Sequence, residues 1–204
     1  MLPVPTTPSL FPSIGPSLGL VVSGGHTSIY LVESWTHLTR LGATIDDAMG
    51  EAFDKAAAIL GLPFPGGPNL DKLASQPGLN ERAHDFPISR LAPDSLDFSF
   101  SGLKTAVLYA VRGVPGPGGV FERDHASLSP QKRAEIAAGF QRAAARAIIL
   151  KLERALASLA SRGVTVRTLL TGGGVTANSR LRAELTAFAQ QRVVFGEKLS
   201  AMQA

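Results

Sequence analysis

Two short apolar runs, residues 18–23 and 27–33, meet across Ser23-Gly24-Gly25-His26-Thr27. Runs of strand length joined at a Gly-Gly corner read as an antiparallel hairpin. That hairpin seeds a β-sheet and constrains how the rest of the chain can pack. A turn needs only its glycines. The hydroxyls of Ser23 and Thr27, the imidazole of His26 and the bare amides of Gly24 and Gly25 are also what a phosphate or carboxylate site uses. Both readings of the tip stand at this point.

Residues 36–41 read as a third short strand, in meander order. The period then changes. Ala48, Met49, Ala52, Phe53, Ala56 and Ile59/Leu60 recur at helical spacing, and Gly61, Pro63 and Pro65 stop the helix. Asp47, Glu51 and Asp54 at i, i+4 and i+7 stack three carboxylates along one helix face. Residues 68–75 read as a short helix after Gly66-Gly67. Leu96, Phe98 and Phe100 alternate with Asp97, Ser99 and Ser101, which predicts a half-buried strand running through Ser101-Gly102 into a helix. Ser129-Pro130 starts a long helix striped by Ile136, Phe140, Ala144, Ile148, Leu152, Leu156 and Leu159. A buried strand, a triple-glycine loop and a helix follow, and residues 192–195 have the composition of one more strand. Strands alternating with helices in this way predict an α/β fold with a mixed sheet packed by helices.

The 204 residues are 45% hydrophobic, enough for a sizeable core. No run of 18 or more apolar residues predicts a membrane span. The chain has no cysteine, which excludes disulfides, thiolate catalysis and Cys-ligated zinc within it. Residues 1–17 lack the basic start of a signal peptide and read as an irregular lead-in to a cytoplasmic protein. A net charge of +4 permits a polyanion partner but equally describes an ordinary basic surface. Aromatics make up 6%, and no base-stacking platform is evident in the composition.

Four more stretches could carry chemistry. Thr171 to Asn178 feeds Gly172, Gly173 and Gly174 into a helix start, where amides and the dipole favour an anion; it reads equally as a tight turn with Asn178 as cap. Among the carboxylates, one facing a ligand could accept the two hydroxyls of a ribose; otherwise the stripe is a solvated face. Gly67 in Pro65-Gly66-Gly67-Pro68 could bring backbone against a ligand, or simply turn the chain. Lys104, after Phe98-Ser99-Phe100-Ser101-Gly102-Leu103, could neutralise a phosphate or pair with a carboxylate. His37, His84 and His125 show no metal-ligand spacing, and no metal site is expected within this chain.

The segments VVSGGHTSIYLV, GATIDDAMGEAFDKAAAILGLPFPGGPNLDKLA, DFSFSGLKTAV and TGGGVTANSRLR stand here in order. Together they resemble the tRNA N6-adenosine threonylcarbamoyltransferase family (TsaD). The resemblance implies an actin-like ATPase fold, here mostly its second lobe, over residues 18–195, with 196–204 a divergent, truncated tail. It implies transfer of a threonylcarbamoyl group from threonylcarbamoyl-adenylate to N6 of adenosine 37 in tRNAs reading codons that begin with A, releasing AMP. By the family's motifs Val21, Val22, Ser23, Gly24 and Gly25 line the adenylate site, Asp54 contacts the ribose, and Gly67 and Asn178 close around the nucleoside. His26, Glu51, Lys104, Gly173 and Gly174 are secondary candidates. The family's divalent metal (iron or zinc) is held by an H-x-x-x-H pair and by the aspartate of a C-T-D-N-G-A motif, and neither stands in this sequence. A chain like this is then expected to be a partial enzyme, or else a non-catalytic paralogue that binds within the modification complex. The implied partners are tRNA, a metal-free paralogue and an ATPase. Apolar surface left uncovered would favour self-association.

Overall fold

A computed structural model describes residues 15–88, 91–121, 123–191 and 202–203. The hairpin forms as its glycines require. Strands β1 (Ser17–Val22), β2 (Thr27–Ser34) and β3 (His37–Ala43) make an antiparallel meander. After four α-helices the chain returns as β4 (Thr168–Gly172), parallel to β1, and Met202–Gln203 adds β5 parallel to β4. The sheet order is β3-β2-β1-β4-β5, with β2 alone running against the others.

Register decides which side chains are buried. Leu20 pairs with Ile29 on one side and Thr171 on the other, and Leu18 pairs with Leu31 and Leu169. All six are buried on one sheet face, as strict alternation along each strand demands. This face shares a core with helices α1 (Met49–Ile59), α3 (Ser101–Arg112) and α4 (Pro130–Ser161). Helices α2 (Gly66–Ala74) and α5 (Ser179–Gln191) complete the layer. The 32-residue α4 starts where Ser129 Oγ accepts the Lys132 amide, with Pro130 at the first helical position. At its centre Phe140 meets Phe53 of α1 edge to face, ring centroids 5.0 Å apart. On the opposite sheet face Val21, Trp35 and Leu38 are exposed beside half-buried Tyr30 and Leu170. Among the described residues, no helix is long and apolar enough to cross a membrane.

Several boundaries differ from the sequence expectation. β1 takes Ser17 from the expected lead-in. α2 begins at Gly66 rather than at residue 68. The expected last strand, 192–195, lies outside the described residues, as do positions 1–14 and most of 196–204.

The expected strand at 96–100 is not a strand. It makes a single bridge, Thr44 with Phe98, and then bends. The alternation is real in burial, since Phe98 and Phe100 are both enclosed, but the backbone is captured by a side chain. Asp46 accepts the Ser99 and Ser101 hydroxyls at 2.6 and 2.7 Å, and the Phe100 and Ser101 amides at 2.9 and 3.4 Å. This carboxylate turns the chain into α3 and caps it from a distance.

Partial burial pushes the Asp46 carboxyl up, but the four donors outweigh it and hold the group below the ordinary aspartate value. A depressed folded-state value stabilises the fold above the unfolded-state value, and that contribution is lost as pH falls through the folded-state one. Asp46→Ala should therefore cost about 1 kcal/mol at neutral pH, in the range for a lost cap. The gap to wild type should close in acid, read by urea denaturation at pH 7 and below pH 4. A gap independent of pH would contradict the capping role.

Candidate functional site

The tip of the β1–β2 hairpin closes on itself. The Ser23 amide donates to the His26 carbonyl at 2.8 Å, and the His26 amide donates to Ser23 Oγ at 3.1 Å. The tip also receives the start of α1. Thr27 Oγ1, wholly buried, accepts the Met49 amide at 2.9 Å, and the Ser23 and Gly24 carbonyls accept the Gly50 and Glu51 amides. A helix start leaves its first amides without intrahelical partners, and here the hairpin supplies them. Gly50 permits this approach, because a Cβ there would come within 2.6 Å of the Ser23 carbonyl.

The same device recurs twice. From α1, Asp54 Oδ1 accepts the Gly66 and Gly67 amides at 3.0 and 3.2 Å and caps α2. From α2, Asp71 accepts the Ser179 amide at 3.0 Å together with its hydroxyl, at the start of α5. Asn178 completes that start. Its Oδ1 accepts the Leu181 amide at 3.0 Å, and its Nδ2 donates to Gln141 Oε1 at 3.0 Å.

These three corners enclose a cavity of about 350 Å³. Gly24, Asp54, Gly67, Gly174 and Asn178, all singled out in the sequence, line it together. Phe53, Phe64, Pro65 and Asp71 line it too, and sequence reasoning did not assign them there. The glycines differ in kind. At Gly24, Gly67 and Gly174 a Cβ would meet nothing within 4 Å, and none has a positive φ. The fold itself does not require glycine at these positions.

The other candidates lie elsewhere. Val22 is buried in the core. Val21 points to the opposite sheet face, into a separate apolar depression of about 550 Å³ beside Trp35 and Leu38. Ser23, Gly25 and His26 sit at the hairpin tip without lining the cavity. Gly173 lies against the Val22 carbonyl. The carboxylate stripe divides: Asp47 precedes α1 and, with Glu51, holds Lys55 at 2.6 and 2.7 Å, so only Asp54 reaches the cavity. Lys104 lies 3.5 Å from Asp47. Among the described residues no three His, Cys, Asp or Glu side chains are placed to hold a metal ion.

Gly24 follows β1 and Gly174 follows β4, so the cavity lies at the carboxyl ends of two parallel strands. Ligands bind there in open α/β sheets. A sheet ordered 3-2-1-4-5 with only β2 reversed, helix-packed and opening at those strand ends, defines an α/β lobe of the actin-like class.

The family model described as tRNA N6-adenosine threonylcarbamoyltransferase matches residues 7–198, and the chain belongs to that family. It is 47% identical over 185 residues to the tRNA N6-adenosine threonylcarbamoyltransferase of Rhodopirellula baltica, covering 88% of this chain and 49% of the relative. It is 46% identical over 178 residues to that of Moorella thermoacetica, covering 86% and 46%. The chain thus spans about half the length of the curated relatives it matches. Among solved structures it is similar to component A of Acidaminococcus fermentans (R)-2-hydroxyglutaryl-CoA dehydratase, with a TM-score of 0.44 and 16% identity, over 93% of this chain and 55% of that one.

Proposed function

We propose that this chain supplies the nucleotide-holding lobe for threonylcarbamoyl transfer from threonylcarbamoyl-adenylate to N6 of adenosine 37 in tRNA. In that reaction N6 forms a bond to the carbamoyl carbon, the bond from that carbon to the phosphate oxygen breaks, AMP leaves, and N6 loses a proton. The observation that carries the reading is the meeting of Gly24, Asp54, Gly67, Gly174 and Asn178 on one cavity in a member of this family.

The residues divide the work by chemistry. Asp54 uses Oδ1 on two amides, which leaves Oδ2 to accept a ribose hydroxyl. The amides of Gly24 and Gly25 make no hydrogen bond to another described residue, which leaves them as donors for developing negative charge, the part backbone amides play in an oxyanion hole. Asn178 and Asp71 act through position, by fixing the α5 start. Glu51 and Lys104 spend their charge on neighbours. The tRNA reading codons that begin with A, a cytoplasmic site of action, and assembly with a metal-free paralogue and an ATPase belong to the same proposal for the whole enzyme.

Calorimetric titration with AMP and with a stable threonylcarbamoyl-adenylate analogue tests it. Saturable binding is expected. Gly24→Ala and Gly174→Ala should leave the stability within about 0.5 kcal/mol of wild type while weakening AMP binding about tenfold by filling the wall. An absence of binding heat in the wild-type chain would overturn the reading.

A further inference from the structure

Phe64 is 86% exposed, at the lip of the cavity, whereas Phe53, Phe86, Phe98, Phe100, Phe140 and Phe188 are buried. A single exposed ring is ordinary. This one is held in place. Asn69 Nδ2 donates to the Pro63 carbonyl at 3.0 Å and to the Pro65 carbonyl at 2.9 Å, one on each side of Phe64. Asp54 fixes the next two amides. The fold thus presents an aromatic face on a braced loop, beside the apolar walls made by Phe53, Pro65 and Val175.

The charge of the cavity says which part of a ligand goes there. Its described lining carries two carboxylates, Asp54 and Asp71, and no lysine, arginine or histidine. The starts of α2 and α5, which would attract a phosphate, are already capped by those two carboxylates. Such a cavity disfavours an anion and suits hydroxyls and a neutral planar ring. Its volume lies at the small-ligand end of the usual range.

We infer that Phe64 is the base-stacking residue of this site, set against the nucleoside that the proposed function already gives to Asp54, Gly67 and Asn178, with the phosphate lying outside the cavity. The inference rests on the nucleotide reading above and names how the base is selected. Stacking on a braced ring favours a purine, whose face is larger than a pyrimidine's.

The test titrates the full chain with adenosine, AMP, cytidine and ribose 5-phosphate, alongside proton NMR of the adenine ring. Adenosine should bind within about threefold of AMP. Cytidine should bind more weakly, and ribose 5-phosphate weakest of all. Phe64→Ala should weaken adenosine and AMP about tenfold each, the range for losing one base–aromatic stack. Phe64→Tyr should restore binding. The adenine H2 and H8 resonances should shift upfield on binding wild type, and Phe64→Leu should lose most of that shift. Because Phe64 is exposed, melting should stay unchanged in every variant. If Phe64→Ala binds adenosine as wild type does, the stacking role falls while the nucleotide site stands. AMP binding more than tenfold tighter than adenosine would overturn the placement of the phosphate. If wild type binds none of the four, both this inference and the reading beneath it fail.

Discussion

Gly173→Ala is expected to destabilise the chain by about 3 kcal/mol, summing backbone strain with a steric clash. Gly173 has φ +98° and ψ 151°, a region that L side chains rarely enter. A Cβ there would lie 2.3 Å from the Val22 carbonyl oxygen and 2.7 Å from its carbon. Both are backbone atoms of β1 and cannot swing aside. The contact sits at the end of the parallel pairing of β1 with β4, where Val21 stands opposite Gly172. Relieving the clash means separating those strands at the mouth of the cavity. Urea denaturation of Gly173→Ala beside Gly174→Ala checks this. The neighbouring substitution meets open space and should change little. Equal stability of the two variants would contradict the geometry.

Phe140→Ala should cost about 4 kcal/mol, as emptying a buried aromatic site does. For a chain of this size that lowers Tm by roughly 10 °C. Phe140 is fully enclosed, and its ring supports Phe53, whose other side forms a cavity wall. The variant therefore removes packing from the core and backing from the site at once. Thermal unfolding followed by circular dichroism measures the first effect, and adenosine titration well below Tm measures the second. Phe140→Leu, which keeps most of the volume, should recover most of both. A Tm within two or three degrees of wild type would mean that the Phe53–Phe140 contact is not a keystone of this core.

Much of the fold is legible in the sequence because its causes are local. The Gly-Gly hairpin, the alternation in β1 and β2, the 3.6-residue stripe of α1 and α4, and the Ser129-Pro130 cap all depend on neighbours within a turn or two. The failures share a different cause. The alternation at 96–100 resembled a strand, yet the donors that bend it answer to Asp46, more than fifty residues earlier. Asp47, Glu51 and Asp54 looked like one face, but the helix starts at Met49, and Lys55 claims two of the three. Asn178 allowed two readings, and its side chain is engaged as a cap and by Gln141. Phe64 and Asp71 escaped notice because neither belongs to a period. A ring between two prolines and a carboxylate beyond a Gly-Gly turn were the signals available. Composition cannot report one aromatic placed at a lip.

The hairpin closes the start of α1, α1 closes the start of α2, and α2 closes the start of α5. Each closure depends on the one before it, over a span from Ser23 to Ser179. Amide hydrogens at Gly50, Gly66 and Ser179, remote in the chain, should therefore exchange with solvent as a single cooperative group. A tug on the hairpin tip would then be felt, through linked hinges, at the far end of the series.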